Sequence, residues 1–234
     1  MRIISGTHKG RRLYWPSDKN VRPTSDRTKE ALFGIIQFEI RGADVLDLFS
    51  GSGALGLEAL SRGANRVVFA DADTRHVKKN LSLFSELNTA RGNGKTPYTK
   101  ENSPPFSGTK SGVAAENAGT RYGDGSSALA DGARAEVLEG DFVRALKKLA
   151  DKGDRFDFIF LDPPYASGSG EEAVGIIARR GLLKTDGKII FEHFYLKGLK
   201  DLNNYVTIYD KRIYGTQALS FMRLKDGGGE ACKT

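Results

Sequence analysis

Val45-Leu46-Asp47-Leu48-Phe49-Ser50-Gly51-Ser52-Gly53-Ala54-Leu55-Gly56 opens as an apolar run broken by one carboxylate, then turns through glycines into a helical pattern. Such a run suits a strand buried on both faces, and residues 54–62 suit the helix that crosses back over it. Arg66-Val67-Val68-Phe69-Ala70-Asp71 repeats the strand pattern, and Val77, Leu81, Phe84 and Leu87 follow near helical spacing. The alternation continues with Glu136-Val137-Leu138, a helix over 142–150, a strand over 156–162, a helix over 171–180 and a strand over 188–192. Two adjacent strands, 205–214 and 218–224, close the pattern. Strands alternating with helices predict a mainly parallel sheet with an antiparallel edge strand, an α/β fold.

Outward from this unit, residues 2–14 read as a small hairpin, Arg2-Ile3-Ile4 and Arg11-Arg12-Leu13-Tyr14 around a turn at 6–10. Val21-Arg22-Pro23-Thr24-Ser25-Asp26 then opens a helix with Ala31, Leu32, Ile35 and Ile36 on one face. Residues 88–134 break the rhythm: Gly, Asn, Ser, Thr and Pro fill 25 positions, and Val113 and Leu129 are the only branched aliphatics there. Such a stretch buries too little apolar area to offset its ordering entropy and reads as a mostly disordered insertion. The expected organisation is a basic hairpin and helix over 1–42, a core domain over 43–225 carrying that insertion, and a flexible tail over 226–234.

The 234 residues carry a net charge of +7, and the first thirty hold eight basic against three acidic side chains. A basic pole of this kind suits a polyanion, most simply a nucleic acid, although a solvated basic face reads the same way. No apolar run is long enough for a membrane span, and no secretory leader is visible, so a cytoplasmic protein is expected. The single Cys232 forms neither an internal disulfide nor a cysteine-based zinc site. His8, His76 and His193 lack metal-ligand spacing, so no metal is expected. His193, after Glu192, reads as structural; Trp15 reads as packing of the hairpin rather than as a base-stacking ring.

Four places carry chemistry. Gly51 and Gly53 sit between strand and helix, where N–H groups and the absence of side chains admit a ligand. Asp47, inside the strand, suits a cationic or donor-rich ligand better than a pyrophosphate, and the amino and sulfonium groups of S-adenosylmethionine fit; a strand-end Asp bonded for structure is the alternative. Asp71, with Ala72 beside it, closes the second strand and can take both ribose hydroxyls of an adenosine, whether of NAD or of S-adenosylmethionine. Asp73 is the weaker candidate because it can start the next helix. Asp141 and Phe142, after the third strand, can accept from an adenine amine and stack on its ring, with Phe49 at the first strand's end in the same group; helix capping by Asp141 is equally open.

Asp162-Pro163-Pro164-Tyr165, after the fourth strand, is the decisive element. Two prolines fix the backbone and remove two N–H donors, leaving carbonyl acceptors; Asp162 adds a carboxylate and Tyr165 an aromatic face. The set suits a planar group bearing an NH₂. A ring amine is a poor nucleophile because its lone pair is delocalised, and acceptors for its N–H bonds aim that lone pair at an electrophilic methyl.

Asp47-Leu-Phe-Ser-Gly51-Ser-Gly53, Asp71, Asp141 and Asp162-Pro-Pro-Tyr165 together resemble the Rossmann-type S-adenosylmethionine-dependent amino-methyltransferases. Arg22-Pro23-Thr24-Ser25-Asp26-Arg27, Glu30-Ala31-Leu32-Phe33, the stretch from Gly53 to Ala64, and Tyr214-Gly215 narrow the resemblance to the RsmD family. It covers roughly residues 2–87 and 135–224; the insertion departs from the family's short connection. The resemblance implies methylation of a guanine exocyclic amine in 16S rRNA, alone or within a 30S assembly particle, using S-adenosylmethionine; a monomer is expected. It also implies that Asp162, Pro163, Pro164 and Tyr165 handle the base and that Asp47, Phe49, Gly51, Gly53, Asp71, Ala72, Asp141 and Phe142 hold the cofactor. The basic N-terminal segment, with Arg11, Arg12, Arg22 and Arg27, then contacts RNA. The rival readings are an adenine-specific DNA methyltransferase, which shares the Asp-Pro-Pro-Tyr element, a nicotinamide oxidoreductase, and a non-catalytic RNA-binding assembly factor.

Overall fold

The computed structural model describes residues 1–15, 26–90, 126–128, 132–164, 168–197, 199 and 202–225. In chain order the elements are α1 (Asp26–Ile35), β1 (Asp44–Leu48), α2 (Ala54–Ser61), β2 (Arg66–Asp71), α3 (Arg75–Ala90), β3 (Ser126–Ala128) and β4 (Arg134–Glu139). There follow α4 (Phe142–Asp151), β5 (Phe156–Leu161), α5 (Ser169–Arg180), β6 (Leu183–Phe194), β7 (Val206–Tyr214) and β8 (Gln217–Leu224). The strands form one sheet in the order β3-β4-β2-β1-β5-β6-β8-β7. The five strands from β4 to β6 are parallel, and β8 lies antiparallel between β6 and β7. The strand order reverses beside β1, which opens a crevice at the carboxyl ends of the central strands.

Alternate side chains explain the two-faced burial. Val45, Val67, Phe69, Phe158 and Phe160 pack with α1 and α2 residues, whereas Leu46, Leu48, Val68, Ile159 and Leu161 pack with those of α4 and α5. Asp47 is the one carboxylate in β1's buried run.

The expected α/β fold is present, with three differences in its elements. β6 begins at Leu183 rather than at 188, because a register shift against β5 between Phe156 and Phe158 accommodates its extra residues. β4 begins at Arg134, and the short β3, paired antiparallel with it, has no apolar pattern to announce it. On α1 the buried residues are Thr28, Lys29, Leu32 and Phe33, with Ile36 buried just beyond its end, whereas Ile35 is exposed. The apolar-only reading of that helix missed its true face because a lysine belongs to it. Most of the 88–134 segment lies outside the described residues, as do Arg22, Tyr165 and the tail; at its margins lie the end of α3, β3 and the first residue of β4.

The N-terminal hairpin is held by Ile3 N–H to the Arg11 carbonyl and Gly10 N–H to the Ile3 carbonyl, both at 2.8 Å. It docks on α2 through Glu58, whose carboxylate accepts the Ile4 and Ser5 N–H groups at 2.7 and 3.0 Å. Glu58 also pairs with Lys29 at 3.3 Å and Arg62 at 2.8 Å, and Lys29 donates to the Arg2 carbonyl. Glu58 and Lys29 are both fully buried. Lys29 is therefore an internal strut between α1, α2 and the hairpin and adds nothing to the basic surface expected of residues 1–30.

Candidate active site

Register places the acidic residues together. Leu48 is level with Ala70 and Leu161, and Asp71 with Glu139, so Asp71, Glu139 and Asp162 stand at one edge of the sheet, at the ends of β2, β4 and β5. Asp47 sits one row lower, buried, with Oδ2 accepting the Gly56 N–H at 2.8 Å. Burial pushes its carboxyl well above the ordinary carboxylate range; the Gly56 N–H favours the anion, and the charges of Asp162 and Asp71 push it further up. Three carboxyls close enough to feel one another suit a cationic ligand. Asp47 thus also has the structural bond held open above, anchoring α2 beneath the glycine loop.

The glycines divide their work. Gly53 adopts φ 78, and a Cβ on it would lie 2.6 Å from Val77 Cγ2. A Cβ on Gly56 would lie 2.3 Å from Phe69 Cε1, so this glycine lets α2 approach β2. Gly51 has open space where a side chain would be, and its N–H donates to Asp71 Oδ2 at 2.8 Å. Asp71 Oδ1 accepts the Asp73 N–H at 2.9 Å, so this carboxylate first shapes the loop and keeps further lone pairs for a ligand. Asp73 pairs with Arg75 through both oxygens and starts α3. The Arg75 guanidinium and N–H hold its carboxyl well below the usual range.

Phe49 is the sole non-glycine residue at positive φ, 65°, among the described residues. Backbone held there costs on the order of 1–3 kcal/mol and persists where the surroundings impose it. Its ring lies 5.2 Å from that of Phe142, giving two tilted aromatic faces near Asp141. Asp141 caps α4, its Oδ1 accepting from Val143 and Arg144 N–H at 2.9 and 3.4 Å. Capping occupies one oxygen and leaves the other. Ala72 is exposed beside Asp71. Arg27 and Arg12 are exposed, and Arg11 is half-buried on the hairpin. His193 is structural, its ring bonded to Ser220 Oγ at 2.9 Å, and burial lowers its pKa.

Asp162 is half-buried, Pro163 buried and Pro164 exposed. Pro163 is pinned by α5: a Cβ on Gly170 would stand 2.2 Å from Phe191 Cζ and 2.8 Å from Pro163 Cγ. Gly170→Ala must therefore displace either Phe191 or the Pro163 turn. We expect it to cost about 1–3 kcal/mol, read as a lowered midpoint in urea, and to lower turnover beyond what the residual folded fraction explains.

Two residues of the site escaped the sequence reading. Asn80, fully buried on α3, accepts the Tyr14 N–H at 2.7 Å and donates to the carbonyls of Tyr14 and Ser52 at 3.0 and 2.9 Å. It ties the hairpin's exit to the glycine loop. Its signal was a polar residue on the Val77–Leu81–Phe84 stripe. Glu139 takes bonds from Thr74 Oγ1 and, at 2.7 Å, from Lys78 Nζ, joining β4 to α3.

A parallel central sheet, an antiparallel β8 inserted before the edge, and an acidic carboxyl edge under a glycine loop define a Rossmann-like methyltransferase fold. The sequence model of the family described as Conserved hypothetical protein 95 matches residues 1–104 and 125–223. The chain belongs to that family, the RsmD family. The Bacillus subtilis protein with the provisional name rRNA methyltransferase YlbH is 31% identical over 95% of this chain and 98% of its own. Ribosomal RNA small subunit methyltransferase D of Escherichia coli K12 is 28% identical over 93% of this chain and 87% of its own. A solved Escherichia coli structure provisionally described as methyltransferase yhhF superposes with a TM-score of 0.65, at 28% identity over 96% of this chain and 98% of that one.

Proposed function

We propose that this chain is an S-adenosylmethionine-dependent methyltransferase that forms N2-methylguanine in small-subunit (16S) rRNA. The observation that carries the reading is the meeting of Asp71, the Phe49–Phe142 pair and Asp162-Pro163-Pro164 at one sheet edge. The names of the relatives support the rRNA substrate.

The residues fit the cofactor. Ser50 Oγ and Ser52 Oγ are buried in the glycine loop without a hydrogen-bond partner among the described residues, which suits a ligand with polar ends. Asp71 suits the ribose hydroxyls, Phe49 and Phe142 the adenine, and the negative edge the sulfonium. When bound, S-adenosylmethionine supplies a methyl group on a positively charged sulfur, an electrophile ready for in-line attack. Asp162 accepts from the guanine amine, with the backbone carbonyls of its proline turn as further acceptors. Holding those N–H groups returns electron density to the nitrogen and orients its lone pair. Asp162 then takes the proton that the nitrogen sheds once alkylated, or passes it to water. A guanine in a duplex hides its amine, so the target is an unpaired or flipped base.

The cofactor is tested by calorimetry with S-adenosylmethionine and NADH. S-adenosylmethionine binds and NADH does not; the reverse overturns the reading in favour of an oxidoreductase. Asp71→Ala removes an ionised acceptor and the anchor of Gly51, so cofactor affinity falls by roughly ten- to a hundredfold, as for loss of a charged hydrogen bond. The fold persists, because Asp71 is at the sheet's rim.

A further inference from the structure

The basic surface has a second pole. Residues 195–225 hold six basic side chains (Lys197, Lys200, Lys211, Arg212, Arg223, Lys225) against Asp201 and Asp210. Together with the first thirty residues, this accounts for more than the whole net charge of +7. Within this stretch β7 forms the far edge of the sheet from β4 and presents most of its side chains to solvent.

Two cations on this edge lie against exposed rings: Lys211 Nζ is 5.0 Å from the centroid of Tyr195, and Arg223 Cζ is 4.5 Å from that of Tyr209. Tyr195 and Tyr209 are each 42% exposed. Register sets Lys211 in the same row of the sheet as the candidate active site, three strands across from it. Lys211 pairs with Ser220, which pairs with Phe191, which pairs with Leu161, the residue before Asp162. Tyr195 follows the end of β6 and is fixed by its N–H to the Thr216 carbonyl at 3.0 Å. Arg212 is tied to Asp210, which leaves Lys211 and Arg223 as the cations of β7 and β8 that stand against exposed rings.

We propose that the β7 edge is a second RNA-contact surface, binding phosphates through Lys211 and Arg223 and stacking an unpaired base on Tyr195. It stands across the central strands from the N-terminal hairpin. Cations interleaved with exposed rings match a polyanion bearing flat bases, which is why RNA is the occupant rather than an acidic protein. The inference rests on the RNA-methyltransferase reading and adds where the strand runs: from the hairpin, past Asp162, to β7.

The test is binding of unmodified 16S rRNA across a salt series, with S-adenosylmethionine affinity and thermal unfolding measured on the same samples. Lys211→Glu with Arg223→Glu weakens RNA binding at least tenfold and flattens the slope of log affinity against log salt by roughly 1.4–1.8. Tyr195→Ala weakens binding about five- to a hundredfold and leaves that slope unchanged. Cofactor affinity and the unfolding midpoint stay at the parent values in both. Unchanged RNA affinity in both variants, beside a parent that binds and methylates the RNA, overturns this surface alone and leaves its charges as guards of an exposed edge strand. Loss on a 30S particle but not on naked RNA assigns the surface to a protein and also overturns it. A parent protein that neither binds nor methylates RNA overturns the functional reading itself.

Discussion

Asp162→Ala lowers methyl transfer by about 10²–10³-fold while S-adenosylmethionine still binds close to its parent affinity. The reason is position. Asp162 follows β5, level with Asp71 at the carboxyl edge, and in the proposed arrangement Asp71 takes the cofactor's ribose while Asp162 takes the amine. Losing one preorganised group aimed at a reacting atom costs rates of that order. Asp162→Asn separates the parts of the role: its carbonyl still accepts an N–H, but it neither takes a proton nor carries charge. It should retain more activity than Ala, with the difference in kcat and not in KM. Equal loss of cofactor binding in both variants would move Asp162 from the base to the cofactor. Removing Asp162 also relieves Asp47, whose carboxyl its charge pushes up. The Asp47 pKa should therefore fall in Asp162→Ala, a shift that carbon-detected NMR of the carboxyl can read.

Glu58→Ala destabilises the protein by roughly 3–5 kcal/mol, the cost of leaving one member of a buried ion pair uncompensated. In this chain that corresponds to a fall of roughly 6–20 °C in Tm. The loss reaches further than Lys29. The Ile4 and Ser5 N–H groups lose their acceptor, Arg62 loses its partner, and the hairpin bearing Arg11 and Arg12 comes away from α2. RNA affinity therefore falls more than cofactor affinity. Replacing both members, Glu58→Leu with Lys29→Met, removes the stranded charge and recovers much of the stability. It does not restore the hairpin's N–H acceptors, so the RNA defect outlasts the stability defect. A double variant no better than Glu58→Ala would show that the bonds to the hairpin, and not the ion pair, hold these elements.

What was legible in the sequence followed from periodicity and from residues whose spacing is tied to chain geometry. Val45–Phe49 and Arg66–Asp71 read as buried parallel strands because their apolar runs leave no face for water. The glycine loop, Asp71 and Asp162-Pro163-Pro164 read as a site because each ends such a strand. Three of the residues whose roles escaped share another feature: they are polar and lie inside apolar stripes. Lys29 lies in the α1 stripe, Glu58 in the run Ala54–Ser61, and Asn80 between Val77 and Phe84, and each is fully buried. A polar residue in a buried stripe must find partners, yet those partners lie far along the chain: Asn80 is 66 residues from Tyr14, and Glu58 is 54 from Ile4. Sequence periodicity signals the need and not the partner. The role of Asp71 in shaping the loop was hidden for the same reason, since its bond to Gly51 spans 20 residues. β3 was invisible because three small polar and alanine positions carry no strand pattern, and its pairing with β4 supplies the order.

The central claim is transfer of a methyl group to the exocyclic amine of a guanine in small-subunit rRNA. Its most direct measurement is incubation of the protein with methyl-labelled S-adenosylmethionine and, separately, unmodified 16S rRNA, unmodified 30S subunits, tRNA and duplex DNA, with nucleoside mass spectrometry of each product. The account predicts label in N2-methylguanine from the 16S rRNA or 30S sample, lowered by about 10²–10³-fold with Asp162→Ala and absent from tRNA and DNA. Label in DNA adenine, or no label in any acceptor from a protein that binds the cofactor, would contradict it.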